Sequence, residues 1–150
     1  MDRCALANEY NERGFNCTQS VLAAFGDLTH LPEKEALAIA GGLGGGIGGS
    51  RQELCGAIVG GVAVLGMLYP NTAGGNNEER KRVFQLSKEF RRRFEERFAC
   101  TKCADLLAAK FKADDRFPAA QRLQVRTHCS IPIVTAVEIL ETMLQEQGVL

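Results

Sequence analysis

The chain has 150 residues, of which 45% are hydrophobic and 24% charged, a composition typical of a folded globular domain. Its 18 Lys and Arg residues balance its 18 Asp and Glu residues, which excludes a strongly basic nucleic-acid-binding protein and an acidic tail protein. Four prolines and a substantial aliphatic content exclude a largely disordered chain. We therefore expect a single domain over residues 1–150, with no nucleic-acid partner.

The sequence shows no sign of export or of membrane insertion. Its first residues, Met1-Asp2-Arg3-Cys4, lack the basic and apolar regions of a signal peptide. The most apolar run, residues 54–69, is shorter than the ~20 residues that span a bilayer and contains four glycines. We therefore expect a cytoplasmic protein. In a reducing compartment, its six cysteines are expected to be metal ligands or working thiols rather than structural disulfides.

Apolar periodicity and capping signals predict an all-α, compact bundle of about six to seven helices with a glycine-rich loop. No alternating polar and apolar run is long enough for a strand. Helices are predicted over residues 2–13 and 17–25, with Asp2 and Asn16 as N-caps, and a third follows Pro32. The third helix leads into the glycine-rich loop, residues 41–49.

The second half of the chain continues the helical pattern. A helix is predicted from Ser50 to residue 69, because Ser50 and Glu53 form the sequence pattern of a capping box. The remaining predicted elements are a loop over residues 70–77, an amphipathic helix over 78–98, short helices after Thr101 and after Pro118, and a last helix over 130–147.

Four of the six cysteines fall at the starts of predicted helices, namely Cys17, Cys55, Cys103 and Cys129. A helix start offers unpaired N–H groups and a partial positive charge, which lower the pKa of a thiol. If these starts converge, the site suits an anionic metal–thiolate centre or a redox thiol pair of low pKa. The alternative is that each cysteine is a small buried hydrophobic residue.

The remaining cysteine and histidine signals are weaker. Cys100 and Cys103 form a single CxxC, whereas a zinc ribbon needs a second pair and a thioredoxin-like site needs a βαβ unit. The motif therefore either contributes to a cluster site or is incidental. His128 is favoured as a surface residue, with a metal ligand or a thiol base as alternatives. The sequence assigns no role to Cys4.

The glycine-rich run has two interpretations. Gly44, Gly46 and Gly49 match GxGxxG, but no strand is predicted before them and no P-loop lysine follows, so nucleotide binding is rejected. Backbone N–H groups can instead form a nest for an anion, which predicts that Gly44, Gly45 and Gly46 hydrogen-bond the sulfurs of a cofactor. A tightly packed turn between helices is the alternative.

Four sequence blocks occur in the order of a known family. They are residues 14–19 (GFNCTQ), residues 55–60 (CGAIVG), residues 103–107 (CADLL), and Cys129 with Ile133, Val134 and Ala136 downstream. With the glycine-rich run after the first block, they resemble the four-cysteine redox-active protein family, written C_GCAxxG_C_C. Residue 54 is Leu, so the second block reads LCGA rather than GCA.

The resemblance implies a small, mostly helical, redox-active protein without an assigned reaction. It also implies that the characteristic cysteines are the four at the predicted helix starts. Family members are similar to a domain of split-Soret cytochromes that is thought to hold an iron–sulfur cluster. This chain has no CxxCH motif, so the resemblance does not extend to haem.

Three functions that use the same four cysteines stay open at this point. The first is an iron–sulfur protein, with [2Fe–2S] favoured, for electron transfer or redox sensing. The second is a metal-free thiol–disulfide redox protein, and the third is an adaptor with a structural zinc site. No hydrolase motif is present.

The sequence does not identify a redox partner protein, and it leaves a homodimer open. The charged segment over residues 78–97 predicts a solvated helix face, with a docking patch for an acidic redox partner as the alternative.

Overall fold

The computed structural model describes residues 1–75 and 77–150, and within them it contains nine helices and no strand. The predicted all-α fold is therefore confirmed. The helices are α1 (Arg3–Glu12), α2 (Cys17–Ala23), α3 (Gly26–Thr29), α4 (Glu33–Ala40), α5 (Gly56–Leu68), α6 (Asn77–Phe98), α7 (Cys103–Ala109), α8 (Pro118–Leu123) and α9 (Ser130–Glu146). Seven of them have at least seven residues, and only α3 and α8 are shorter.

Helix α9 forms the centre of the bundle. Twelve of its 17 residues are buried, and it packs against α1, α2, α5, α6 and α8. Helix α6 lies alongside it and buries Leu86, Phe90, Phe94 and Phe98, which recur every four residues along one face. The opposite face of α6 is charged, as the amphipathic pattern predicted.

Helices α2 and α5 pack closely because glycines replace side chains at the contact. A Cβ atom at Gly60 would lie 2.9 Å from the carbonyl oxygen of Thr18 and 2.9 Å from Cβ of Val21. The Thr18 hydroxyl donates to the carbonyl of Gly56 at 2.9 Å. The crossing therefore brings the first turns of the two helices side by side.

The predicted helix start at Ser50 was wrong, and α5 begins only at Gly56. The Ser50 hydroxyl donates to the carbonyl of Gly46 at 2.7 Å, and the N–H of Glu53 donates to the same carbonyl rather than to Ser50. Leu54 forms an isolated antiparallel bridge with Lys102. Because these contacts, several of them distant in sequence, use the backbone of residues 50–54, the local capping pattern does not start a helix.

Smaller differences concern element boundaries. The helix predicted over residues 17–25 ends at Ala23, and Gly26 then begins α3. Residues 70–75 contain no helix, as predicted, but Asn77 is the first residue of α6, and Asn76 of the predicted loop lies outside the described residues. None of the described helices combines the length and the apolar character needed to cross a membrane.

Two glycines of α5 provide a test of this packing. A Cβ at Gly61 would overlap the ring of the fully buried Phe90, whereas a Cβ at Gly66 would meet nothing within 4 Å. We expect Gly61→Ala to destabilise the protein by about 1–3 kcal/mol through overpacking. Gly66→Ala should stabilise it by about 0.5–1 kcal/mol, since alanine favours the helix. Chemical unfolding of both variants checks this, and equal effects would contradict the described contact.

Candidate functional site

Each of the four predicted site cysteines lies at the start of a helix. Cys17 and Cys103 are the first residues of α2 and α7, and Cys55 and Cys129 are the N-cap residues of α5 and α9. The placement at helix starts is therefore confirmed. The helix predicted from Ser50 would have placed Cys55 more than one turn inside the helix. In the structure Cys55 is the N-cap residue, directly at the helix start.

The four helix starts surround one cavity of about 50 Å³. It is lined by Cys17, Cys55, Cys103 and Cys129, together with Gly45, Leu106, Leu107, His128 and Pro132. Sites for organic ligands occupy about 300–1,000 Å³, so this cavity is too small for a nucleotide, a flavin or haem. Its size and its four thiols suit an inorganic centre bound directly by side chains.

The four cysteines line the cavity, but their thiols are not arranged as the complete ligand set of a metal ion. Within residues 1–75 and 77–150, no three His, Cys, Asp or Glu side chains are placed to hold a metal ion as they stand. The role of the four cysteines as metal ligands therefore stays a prediction. What the geometry establishes is that four thiols from distant parts of the sequence line the same small space.

A capping box fixes the position of Cys17. The side chain of Asn16 accepts the N–H of Gln19 at 2.9 Å, and the side chain of Gln19 accepts the N–H of Asn16 at 2.9 Å. The Asn16 amide also donates to the carbonyl of Gly41 at 3.0 Å. The same residue therefore ends the coil before α2 and anchors the beginning of the glycine-rich loop.

Backbone pairing fixes the positions of Cys55 and Cys103. Each donates its N–H to a carbonyl of the opposite segment, at 2.8 and 2.9 Å, on either side of the bridge between Leu54 and Lys102. Successive side chains of extended backbone point to opposite sides. The two cysteines accordingly face the cavity, while Leu54 lines a groove on the other side.

The glycine-rich loop forms one wall of the site in a left-handed conformation. Residues 45–49 all have positive φ, between 52° and 77°, which glycine adopts at little cost. A Cβ at Gly46 would lie 2.6 Å from Cβ of Cys103, and one at Gly44 would overlap Asn16. The tightly packed turn, the second interpretation of this run, is therefore present.

The same loop contains consecutive backbone donors, and Gly45 among them lines the cavity. The N–H groups of residues 44–47 have no acceptor in the described chain, although Gly44 and Gly46 are buried. Successive free N–H groups of this kind form a nest for an anion. The loop is preceded by α4 rather than by a strand, so the rejection of a dinucleotide-binding motif is consistent with the fold.

Burial raises the pKa of three of the cavity thiols, those of Cys55, Cys103 and Cys129, contrary to the predicted low-pKa thiol pair. Desolvation is the main cause of the raised pKa of Cys55, followed by its nearness to Cys17 and Cys103. Desolvation and Cys17 also raise the pKa of Cys103 and of Cys129, against a smaller lowering by Arg51. For these three thiols, loss of water and mutual repulsion of thiolate charges outweigh the favourable helix starts.

The other two cysteines lie outside the cavity. Cys4 is buried, its thiol donates to the carbonyl of Val134 at 3.6 Å, and burial raises its pKa to about 12. The thiol of Cys100 donates to the carbonyl of Phe98 at 3.4 Å, and burial and acidic neighbours raise its pKa. The CxxC motif therefore supplies one cavity residue, Cys103, rather than two.

Sequence reasoning missed the apolar part of the lining and a nearby cation, Arg51. Leu106 and Leu107 lie one helical turn after Cys103, and Pro132 lies one turn after Cys129, so the i+3 and i+4 spacing was the available signal. Arg51 gave no signal, because its proximity to the thiols arises from the path of the glycine-rich loop. His128 is exposed, as favoured, but it also lines the cavity.

Comparison with protein families identifies the family of this chain. Residues 15–143 match the family described as "Putative redox-active protein (C_GCAxxG_C_C)". The chain belongs to this family. The resemblance seen in the sequence is thereby confirmed. Searches of curated proteins and of solved structures gave no match.

The role of Asn16 can be tested against a second asparagine. Asn16→Ala removes the N-cap of α2 and the hydrogen bond to Gly41, so we expect a loss of about 1–2 kcal/mol in the free energy of unfolding. Asn8→Ala removes only an exposed hydrogen bond to Glu12 and should change stability by less than about 0.5 kcal/mol. Urea unfolding measures both, and similar losses would contradict the assigned role.

Proposed function

We propose that this protein holds an iron–sulfur cluster, of the [2Fe–2S] type, and acts in electron transfer or redox sensing. The proposed ligands are the thiolates of Cys17, Cys55, Cys103 and Cys129. The observation that carries the proposal is that these four cysteines line one cavity of about 50 Å³. Four thiolates are the usual ligand number for such a cluster, and the small volume favours the smaller cluster type. Membership of a redox-active family supports the same function.

The glycine wall supports a cofactor that carries negative charge. A thiolate-bound cluster is anionic, and the free N–H groups of residues 44–47 are suitable donors to its sulfur atoms. Arg51 lowers the cost of negative charge on Cys103 and Cys129. Hydrogen bonds and nearby charge are the means by which a protein sets the reduction potential of a cluster.

When bound, the cluster would supply reversible one-electron chemistry. The chain's own residues would provide the setting for it. Leu106, Leu107 and Pro132 limit the access of water to the sulfur atoms, because they line the cavity with apolar side chains. His128 is an exposed polar residue of the same lining.

Two other functions are outcomes of the same test. A single zinc ion would also find four thiols and a small cavity, as in structural zinc sites. A metal-free protein would instead use two of the thiols as a reversible disulfide. The raised pKa of Cys55, Cys103 and Cys129 does not favour a nucleophilic thiol pair.

Protein purified without oxygen from iron-supplied cells should be coloured and should contain iron and inorganic sulfide in equal amounts. The visible spectrum and metal analysis of one sample provide the measurement. A colourless protein with zinc would replace the proposal with a structural zinc site. A colourless, metal-free protein that loses two thiols on oxidation would replace it with the disulfide function.

The two cysteines of the CxxC motif give a matched pair of variants. We expect Cys103→Ser to lose most of the iron and sulfide, because it removes a cavity thiol. Cys100→Ser should retain both, because Cys100 does not line the cavity. Metal and sulfide analysis of the two variants, with circular dichroism as a folding control, tests the ligand assignment. Retention of the cluster in Cys103→Ser would contradict it.

A further inference from the structure

A shallow groove lies on the opposite side of the Leu54–Lys102 bridge from the cysteine cavity, between α5 and α6. Its volume is about 210 Å³, and its floor is apolar, with Leu54, Ile58 and Val62. Phe84 of α6 stands at the groove with 56% of its surface exposed. A large exposed aromatic beside an apolar groove is the type of feature that anchors a protein partner.

The wall between this groove and the cavity is a single strip of extended backbone. Leu54 lines the groove, and the next residue, Cys55, lines the cavity. Lys102 lies directly opposite Leu54 in the antiparallel bridge, and directly opposite residues project to the same side. The exposed Lys102 therefore projects to the Leu54 side of the bridge, and the next residue, Cys103, faces the cavity. A molecule in the groove would be separated from the thiols by little more than this bridge.

The cations at the groove differ from other cations of α6 in their ion pairing. Arg92 and Arg93, further around α6, form ion pairs with glutamates. In the part of the chain that the structure describes, Lys88 and Arg91 of the groove and Lys102 of the bridge form no ion pair. Unpaired cations around an apolar groove complement an acidic surface that presents an apolar side chain.

We propose that this groove docks an acidic electron-transfer protein, with an apolar side chain of the partner against Phe84 and its carboxylates against Lys88, Arg91 and Lys102. The reason for a partner at this place rests on the redox function proposed above. In the docked complex, the reduced carrier would lose one electron and the thiol-bound centre would gain it, with no bond formed or broken. A second copy of the chain fits poorly, because a two-fold contact would bring these cations together.

The probes are two one-electron carriers of opposite charge, an acidic flavodoxin and a basic cytochrome c. We expect flavodoxin to bind at low ionic strength, with an affinity that falls as salt is added, and cytochrome c to bind at least tenfold more weakly. Isothermal titration calorimetry gives the affinities, and NMR chemical-shift changes should cluster at Leu54, Phe84 and Lys88. These measurements are made on the protein with and without its cofactor.

Matched variants distinguish an effect of the groove residues on flavodoxin binding from an effect of the net charge of the protein. Lys88→Glu with Arg91→Glu should weaken flavodoxin binding at least tenfold. Lys34→Glu with Lys112→Glu makes the same change in net charge at exposed residues outside the groove and should weaken it less than threefold. Phe84→Ala should also weaken binding while leaving the fold intact, since the side chain is largely exposed.

Three results would overturn the docking proposal. They are no flavodoxin binding at low ionic strength, equal effects of the two charge-reversed variants, or a dimer of the chain that Phe84→Ala dissociates. Failure of the cofactor proposal is detected separately, as a protein that contains no iron or sulfide. If a protein without iron or sulfide still bound flavodoxin at the groove, the docking proposal would stand and the proposed redox function would be wrong.

Discussion

The close contact between α2 and α5 is the constraint on which the rest of the site depends. A Cβ at Gly56 would overlap the sulfur of Cys17, so the two helices can start side by side only if residue 56 is glycine. Glycine in a helix costs about 1 kcal/mol relative to alanine, and α5 contains four of them. Gly60 and Gly61 recover part of that cost through contacts with α2 and with Phe90. The glycines of α5 therefore lower its helix propensity, but they allow the close packing that brings Cys17 and Cys55 together.

The site combines two opposed electrostatic effects. Burial and mutual repulsion raise the pKa of Cys55, Cys103 and Cys129, which keeps these thiols protonated when nothing compensates their charge. The Arg51 guanidinium acts in the opposite direction on Cys103 and Cys129, and Gly45 of the glycine-rich loop lines the same cavity. A bound cation would resolve this opposition, because metal binding to thiols releases their protons. The arrangement is thus more favourable to a metal centre than to free thiolates.

The sequence predicted features that depend on local interactions. The N-cap at Asn16, the amphipathic α6 and the position of Pro118 at the beginning of α8 all follow from residues within one or two turns. The predicted start of α5 was wrong because it, too, was based on local interactions alone. Ser50 and Glu53 have a valid capping pattern, but the bridge between Leu54 and Lys102 uses backbone that a helix would need.

The positions of the four cysteines at helix starts suggested that they converge, but these positions alone do not require it. Convergence needs the close packing of α2 against α5. The i, i+4 spacing of Gly56 and Gly60 indicates that one face of α5 packs closely against another helix, but it does not identify that helix. The left-handed run over residues 45–49 was equally inaccessible, since it includes Ile47, a β-branched residue that disfavours positive φ. The groove beside Phe84 depends on the packing of α5 against α6 and gave only the weak signal of an excess of cations on α6.

Iron X-ray absorption spectroscopy on anaerobically purified protein tests the central claim most directly, because it reports which atoms surround the metal. The proposed site predicts a first shell of sulfur atoms alone and a second iron atom close by, which is the signature of a cluster held by four cysteine thiolates. A first shell that contains nitrogen or oxygen, or an isolated iron atom without a second iron, would contradict the account.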